Sequence, residues 1–202
     1  MSLPLIIFGG GFDPPHISHV LTATWAASVF PDSDLWIVPC WKHSFGKEMA
    51  SFRHRYEMCQ RAFGHLTASS SLVQISAIEG ELEITRTFDL VTRLKEDQPD
   101  RDIKLLVGED NLAVSNQWYK WDEILKMAGL IVVGREGKEG KRWNEHLWAP
   151  KMPRISSTDI RAAVGDPLEL HDGELQWPSW VPHLVPRRVL EYIRYHGLYN
   201  CK

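Results

Sequence analysis

Cysteine is scarce in this sequence and never paired. The 202 residues include three, Cys40, Cys59 and Cys201, widely spaced and in no C-x-x-C arrangement. That is a pattern of free thiols in a reducing compartment, not of a disulfide framework. Long apolar runs are missing as well. The first apolar stretch, Leu3 to Phe8, is too short for a signal-peptide core, and no run reaches the roughly 18 residues of a membrane helix. A cytoplasmic protein with no membrane partner is therefore expected. Nor is there an excess of positive charge: 23 Lys and Arg stand against 26 Asp and Glu, a formal charge of −3. Duplex nucleic acid finds no basic sheet on such a chain, and a small anion would have to be met by a local cluster. Internal repeats, low-complexity segments and a Walker phosphate loop are absent too.

What is present is ordinary in bulk and specific in places. With 44% hydrophobic and 24% charged residues the composition is that of a globular protein. The length suits one α/β domain over residues 1–202, with a core to about residue 154 and a small C-terminal helical part from about residue 155. Apolar β-rich runs alternate with amphipathic stretches: Leu3–Phe8, His16–Phe30, Asp34–Val38, Phe52–Phe63, Leu72–Ile75, Thr87–Glu96, Lys104–Val107, Trp118–Ala128 and Leu130–Val133. Such alternation predicts βαβ units and a doubly wound parallel sheet, with the C-terminal strand ends along one edge where ligands bind. Gly134 to Lys141 and Gly165 to Pro186 read as loops, and Arg187–His196 as a final helix. Most of Trp25, Trp36, Trp143 and Trp148 are expected to pack, since tryptophan brings a large buried area.

The first strand empties into Gly9-Gly10-Gly11-Phe12-Asp13-Pro14-Pro15-His16-Ile17-Ser18-His19. Three glycines let the backbone come close to a ligand, and the helix that follows turns unpaired N–H groups and its positive dipole end to the same point. His16 and His19, three apart, share one helical face and reach one phosphate together. A metal site would need further ligands at fixed spacing, and none lies nearby. The dinucleotide fingerprint fails because Pro14 stands at its third glycine. A second phosphate-prone helix start follows at Ile155-Ser156-Ser157-Thr158-Asp159-Ile160-Arg161, where hydroxyls cap the helix and Arg161 offers a bidentate grip. Two such starts in one domain suggest a polyphosphate between them.

These two segments resemble the signatures G-[GT]-x-F-D-P-x-H-x-x-H and I-S-[ST]-T-x-[IL]-R of nucleotidyltransferases with a Rossmann-like fold. The stretch between is similar to the bacterial nicotinate-mononucleotide adenylyltransferases at Arg86-Thr87-Phe88-Asp89-Leu90, Gly108-Glu109-Asp110 and Trp118-Tyr119-Lys120-Trp121. So is the ending Leu184-Val185-Pro186 to Tyr199. The resemblance implies an α/β, Rossmann-like enzyme that transfers an adenylyl group from ATP to nicotinate mononucleotide, giving nicotinate adenine dinucleotide and pyrophosphate in NAD biosynthesis. Nicotinamide mononucleotide, alone or as a second acceptor, is the alternative; a nucleotide-binding regulator with lost turnover is the alternative from another class.

Carried over by position, the catalytic residues are His16, His19 and Arg161. ATP falls to Gly9, Gly10, Gly11, Phe12, His16, His19, Gly108, Asp110, Ile155, Ser156, Ser157, Thr158 and Arg161. The mononucleotide falls to Asp13, Lys42, His43, Lys47, Thr87 and Trp118. Mg²⁺ is expected to come with ATP, held mainly by phosphates and not by a protein metal site. A homo-oligomer is left open. The chain departs from the family's pattern at Gly11, where a Thr is usual, at Arg86, where a Tyr is usual, in the loop Pro39 to Lys47, and around Leu170 to Val181.

Overall fold

A computed structural model describes residues 2–42, 46, 48–135, 150–165, 170–171, 174–175 and 177–200. Eight strands and nine helices are found among them: β1 (Leu5–Gly10), α1 (Ile17–Val29), β2 (Asp34–Pro39), α2 (Phe52–Ser69), β3 (Val73–Ile75), α3 (Ile78–Glu81), α4 (Thr87–Asp97), β4 (Ile103–Gly108), α5 (Glu109–Leu112), α6 (Trp121–Met127), β5 (Gly129–Arg135), β6 (Lys151–Met152), α7 (Ser157–Gly165), β7 (Leu170–His171), β8 (Glu174–Leu175), α8 (Val181–Leu184) and α9 (Arg187–His196). Strands β1 to β6 form one sheet in the order β3-β2-β1-β4-β5-β6, and every pairing is parallel. The chain winds outward from β1 to β3, then returns to the other side of β1 with β4. That reversal between β1 and β4 is the switch point, where the loops leaving neighbouring strands diverge and open a crevice.

The central strand explains why both faces are covered. Successive β1 side chains point to opposite sides of the sheet. Ile6 and Phe8 join a core that contains Val20 and Ala23 of α1, Met58 and Phe63 of α2, Ile160 of α7 and Val189 of α9. Leu5 and Ile7 join a second core with Leu90 and Val91 of α4 and Ile124 of α6. A strand apolar on both sides is the mark of a buried parallel sheet. Helices α7 and α9 share the first core with α1 and α2, so the C-terminal segment is laid directly on the sheet face that carries the glycine turn. Trp25 and Trp36 pack against the two cores. Trp143 and Trp148 lie outside the described residues, as do Cys201 and nearly all of the Gly134 to Lys141 loop.

Two sequence expectations change. The stretch expected to be helical from Trp118 begins as α6 only at Trp121, because Lys120 sits in the left-handed region at φ 54°, and no right-handed helix runs through that conformation. The stretch Gly165 to Pro186, expected as loop, contains the antiparallel pair β7 and β8 and the short helix α8. Elements of two and four residues are too short to leave a period in the sequence.

Candidate active site

Two of the three glycines where the turn leaves β1 lie close against side chains. A Cβ on Gly10 would come 3.1 Å from the Phe12 ring, which folds back beneath the turn. Phe12 itself takes a left-handed φ of 47° and is buried. Its ring meets Phe8 edge-on at 5.4 Å, Phe63 at 5.7 Å and His19 at 5.0 Å. The ring of Phe12, a residue expected to bind ATP, thus packs against His19. At Gly11 a Cβ would lie 3.3 Å from the Met49 sulfur. The space that a Thr at Gly11 would enter is bordered by Met49.

The paired histidines open α1 as a capping box in which imidazoles replace the usual hydroxyl and carboxamide. His16 is the N-cap, in extended backbone, and its N–H donates to His19 Nδ1 at 3.2 Å. The two rings stack with centroids 3.7 Å apart. A neutral His19 whose Nδ1 accepts must carry its proton on Nε2, so the geometry fixes the tautomer and makes the outer nitrogen a donor. His16 is buried and His19 is half-buried.

The second helix start is clasped to the first turn. Ser156 Oγ caps α7, accepting from the N–H groups of Thr158 at 3.2 Å and Asp159 at 3.4 Å. Ser157 Oγ donates to the Pro14 carbonyl at 3.0 Å. Arg161 donates to the Asp13 carbonyl at 2.6 Å and to Thr158 Oγ1 at 3.3 Å, and its guanidinium stands 3.4 Å from the Asp13 carboxylate. Asp13 is 3% exposed. Its Oδ1 accepts from the Ala50 N–H at 3.2 Å and from the Tyr199 hydroxyl at 2.7 Å. Burial, and next the Asp13 charge, push the Tyr199 hydroxyl far up its scale, so it stays a donor. Asp13, expected on the mononucleotide side, turns its carboxylate inward, where it meets Ala50, Tyr199 and the Arg161 guanidinium. Ile155 is buried beside the clasp.

On the β4 side, Gly108 precedes α5 in extended backbone. A Cβ there would meet Asp110 Oδ1 at 2.6 Å, so the glycine lets the Asp110 carboxylate fold back over the strand end. Thr87 is the first residue of α4. Trp118 lies half-buried against the second core, edge-on to Trp121 at 5.4 Å. Around them Arg86 lies 4.4 Å over the Tyr119 ring and Lys120 4.4 Å over the Phe88 ring. Lys42 is exposed, its ammonium 5.9 Å from the Trp41 ring. His43 and Lys47 lie outside the described residues.

Sequence reasoning missed the residues that hold the loops in place. Arg55 is 1% exposed and donates to three carbonyls, Gly11 at 3.0 Å, Trp41 at 3.0 Å and Ala50 at 2.9 Å. Glu79, also buried, accepts the Trp41 N–H at 3.0 Å. One signal was available for Arg55: it lies three and four residues before Met58 and Cys59 on the buried stripe of α2, where an unpartnered cation is forbidden. Among the described residues no group of three or more His, Cys, Asp or Glu is placed to hold a metal ion, and no helix is long and apolar enough to cross a membrane.

A parallel sheet with a glycine turn and paired histidines at its switch point, clasped by a second capped helix, defines a nucleotidyltransferase-type α/β protein. Residues 7–163 match the family described as cytidylyltransferase-like. A protein of Anaeromyxobacter dehalogenans named a probable nicotinate-nucleotide adenylyltransferase is 37% identical over 200 residues, covering 97% of this chain and 96% of that one. A Myxococcus xanthus protein of the same name is 32% identical, covering 100% and 97%. The chain belongs to the cytidylyltransferase-like family and, within it, to the nicotinate-nucleotide adenylyltransferases. Among solved structures, Plasmodium falciparum nicotinic acid mononucleotide adenylyltransferase complexed with NaAD has the same fold, with a TM-score of 0.78 at 18% identity over 100% of this chain and 99% of that one.

Proposed function

We propose that this protein transfers the adenylyl group of ATP to nicotinate mononucleotide in the cytoplasm, forming nicotinate adenine dinucleotide and pyrophosphate for NAD biosynthesis. The observation that carries the reading is the clasp: Ser157 and Arg161 donate to the carbonyls of Pro14 and Asp13. It brings two anion-seeking helix starts onto one crevice, as a triphosphate requires. The family and the named relatives supply the substrates. A phosphate oxygen of the mononucleotide attacks the α-phosphorus of ATP in line, the bond to the β-phosphate oxygen breaks, and pyrophosphate leaves. No covalent enzyme intermediate is needed, so the protein's work is alignment and charge stabilisation.

His19 donates through Nε2 to the oxygens that gain charge, and His16 orients it through the backbone bond to Nδ1. The Gly9 to Gly11 turn lets the phosphates approach the backbone. Arg161 and the Ser156 to Thr158 helix start hold the β- and γ-phosphates, and Asp110 takes the ribose diol of ATP. On the acceptor side Trp118 stacks on the pyridine, Thr87 meets the mononucleotide at the start of α4, and the exposed Lys42 meets its phosphate. Mg²⁺ would come with ATP, held mainly by the phosphates, and would supply charge neutralisation there. Arg86 lies over the Tyr119 ring and Lys120 over the Phe88 ring, and positive charge on this side of the fold favours the acid over the amide form of the pyridine. Pyrophosphate release from ATP and Mg²⁺, run in parallel with nicotinate mononucleotide, nicotinamide mononucleotide and phosphopantetheine, tests the reading. Fastest turnover with the acid supports it; turnover confined to phosphopantetheine, or none at all, refutes it.

A further inference from the structure

We propose that Arg55 and Glu79 are positioning residues for the acceptor side of the reaction, fixing the loop that leaves β2 against the glycine turn. This role rests on the function proposed above, in which Lys42 of that loop meets the acceptor phosphate. Trp41, the residue just before Lys42, is gripped at both of its backbone groups: its N–H donates to Glu79 Oε2 and its carbonyl accepts from Arg55. Arg55 uses the same guanidinium to hold the Gly11 carbonyl of the glycine turn and, through Nε, the Ala50 carbonyl at the far end of the loop. One buried side chain therefore sets the spacing between the turn that faces ATP and both ends of the loop that faces the acceptor.

Glu79 is fixed in its turn by close packing. A Cβ on Gly80 would come 2.2 Å from the Phe52 ring, so glycine lets α3 press onto α2. Phe52 then packs edge-on to the Trp41 ring at 5.4 Å. Burying charged groups is a poor way to stabilise a core, since apolar residues of like volume often do as well or better. What a planar guanidinium adds is several donors at fixed angles, here aimed at three separate segments that border the site.

The charged and titratable groups facing Glu79 are Arg55 from α2 and Cys40 from the end of β2. Burial pushes the Cys40 thiol up to about 11, so it stays neutral. Burial likewise pushes the Glu79 carboxyl up to about 7, opposed by the Trp41 N–H and Arg55. Near neutrality Glu79 alone of the three changes charge, and its grip on the loop is strongest when it is ionised.

The test is steady-state pyrophosphate release from ATP and Mg²⁺ with nicotinate mononucleotide varied, for the wild type, Glu79→Gln and Arg55→Lys, at about pH 6 and about pH 8. For Glu79→Gln, the mononucleotide KM relative to wild type is expected near one at the lower pH. At the higher pH it rises roughly three- to tenfold, with kcat and the ATP KM within about twofold. A ratio that does not change with pH overturns the role of Glu79. Arg55→Lys keeps a charge but not the fork; it is expected to raise the mononucleotide KM at both pH values, and it keeps the test standing if Glu79→Gln does not fold. Equal losses in kcat and both KM values for Arg55→Lys overturn the positioning role. No turnover by the wild type with either pyridine mononucleotide overturns the underlying function, and this role with it.

Discussion

Replacing Tyr199 by Phe removes one oxygen from the clasp and leaves its packing intact. The Tyr199 hydroxyl donates to the buried Asp13 carboxylate at 2.7 Å, a charge-assisted hydrogen bond of the class that contributes about 1.5–3 kcal/mol. Asp13 is not orphaned by the change. Oδ1 keeps the Ala50 N–H and Oδ2 keeps the Arg161 guanidinium 3.4 Å away, which places the expected loss near the middle of that range, about 2 kcal/mol. For a chain of this size that is a fall in Tm of about 4–8 °C. Urea unfolding followed by tryptophan fluorescence is expected to give a lower midpoint with an unchanged slope, since the surface exposed on unfolding is the same. Because Arg161 also holds the Asp13 carbonyl, a loosened Asp13 frees the guanidinium, and the KM for ATP is expected to rise a few-fold. A loss below about 0.5 kcal/mol together with an unchanged ATP KM refutes the reasoning, for the other two contacts would then suffice.

Removing the donor in His19→Ala is expected to lower kcat by roughly 10²–10³ with little change in fold; near-wild-type turnover takes His19 out of the mechanism. Trp118→Ala is expected to raise the KM for the mononucleotide more than that for ATP, and an unchanged mononucleotide KM sinks the stacking role. Near a substrate carboxylate in a water-like dielectric, a single cation favours the charged form by on the order of 1 kcal/mol or less. Arg86→Ala should therefore cut the ratio of kcat/KM for the acid over the amide roughly threefold, and a ratio that stays put removes Arg86 from acceptor choice. For stability, Glu79 binds its proton more tightly folded than unfolded, so it favours the folded state fully below about pH 4.5. That contribution is lost as pH rises through about 7. Unfolding free energies of Glu79→Gln should accordingly gain on the wild type by about 3 kcal/mol between those limits, and parallel curves would show that the carboxyl is not held as described.

The parts of the fold legible in sequence are those with a period. Strands β1, β2 and β4 and helices α1, α2 and α4 each carry enough alternation to be read, and their parallel arrangement follows from the alternation itself. The start of α6 was not legible because it depends on one left-handed residue, Lys120, a type with no special liking for that conformation. Both phosphate motifs were visible because a glycine turn and a hydroxyl cap are local devices. Arg55, Glu79 and Tyr199 were not, because their meaning lies in what they meet: loop carbonyls for Arg55, a single N–H for Glu79, and for Tyr199 a carboxylate 186 positions away. The partners of Asp13 were hidden for the same reason, since a carboxylate beside a ligand turn carries no local sign of the hydroxyl and N–H that it meets.

The contact between Asp13 and Tyr199 also orders events in time. A ribosome adding about 5–20 residues per second makes the glycine turn roughly 10–40 s before it makes the hydroxyl that fastens it. During that interval Arg55 can take the Gly11 carbonyl and Ser157 and Arg161 can close on Pro14 and Asp13, but the Asp13 carboxylate waits for its hydroxyl partner. Synthesis read through to residue 199 supplies that partner, so a product that stops short of it keeps the Ser157 and Arg161 contacts between the motifs but leaves Asp13 Oδ1 to the Ala50 N–H alone.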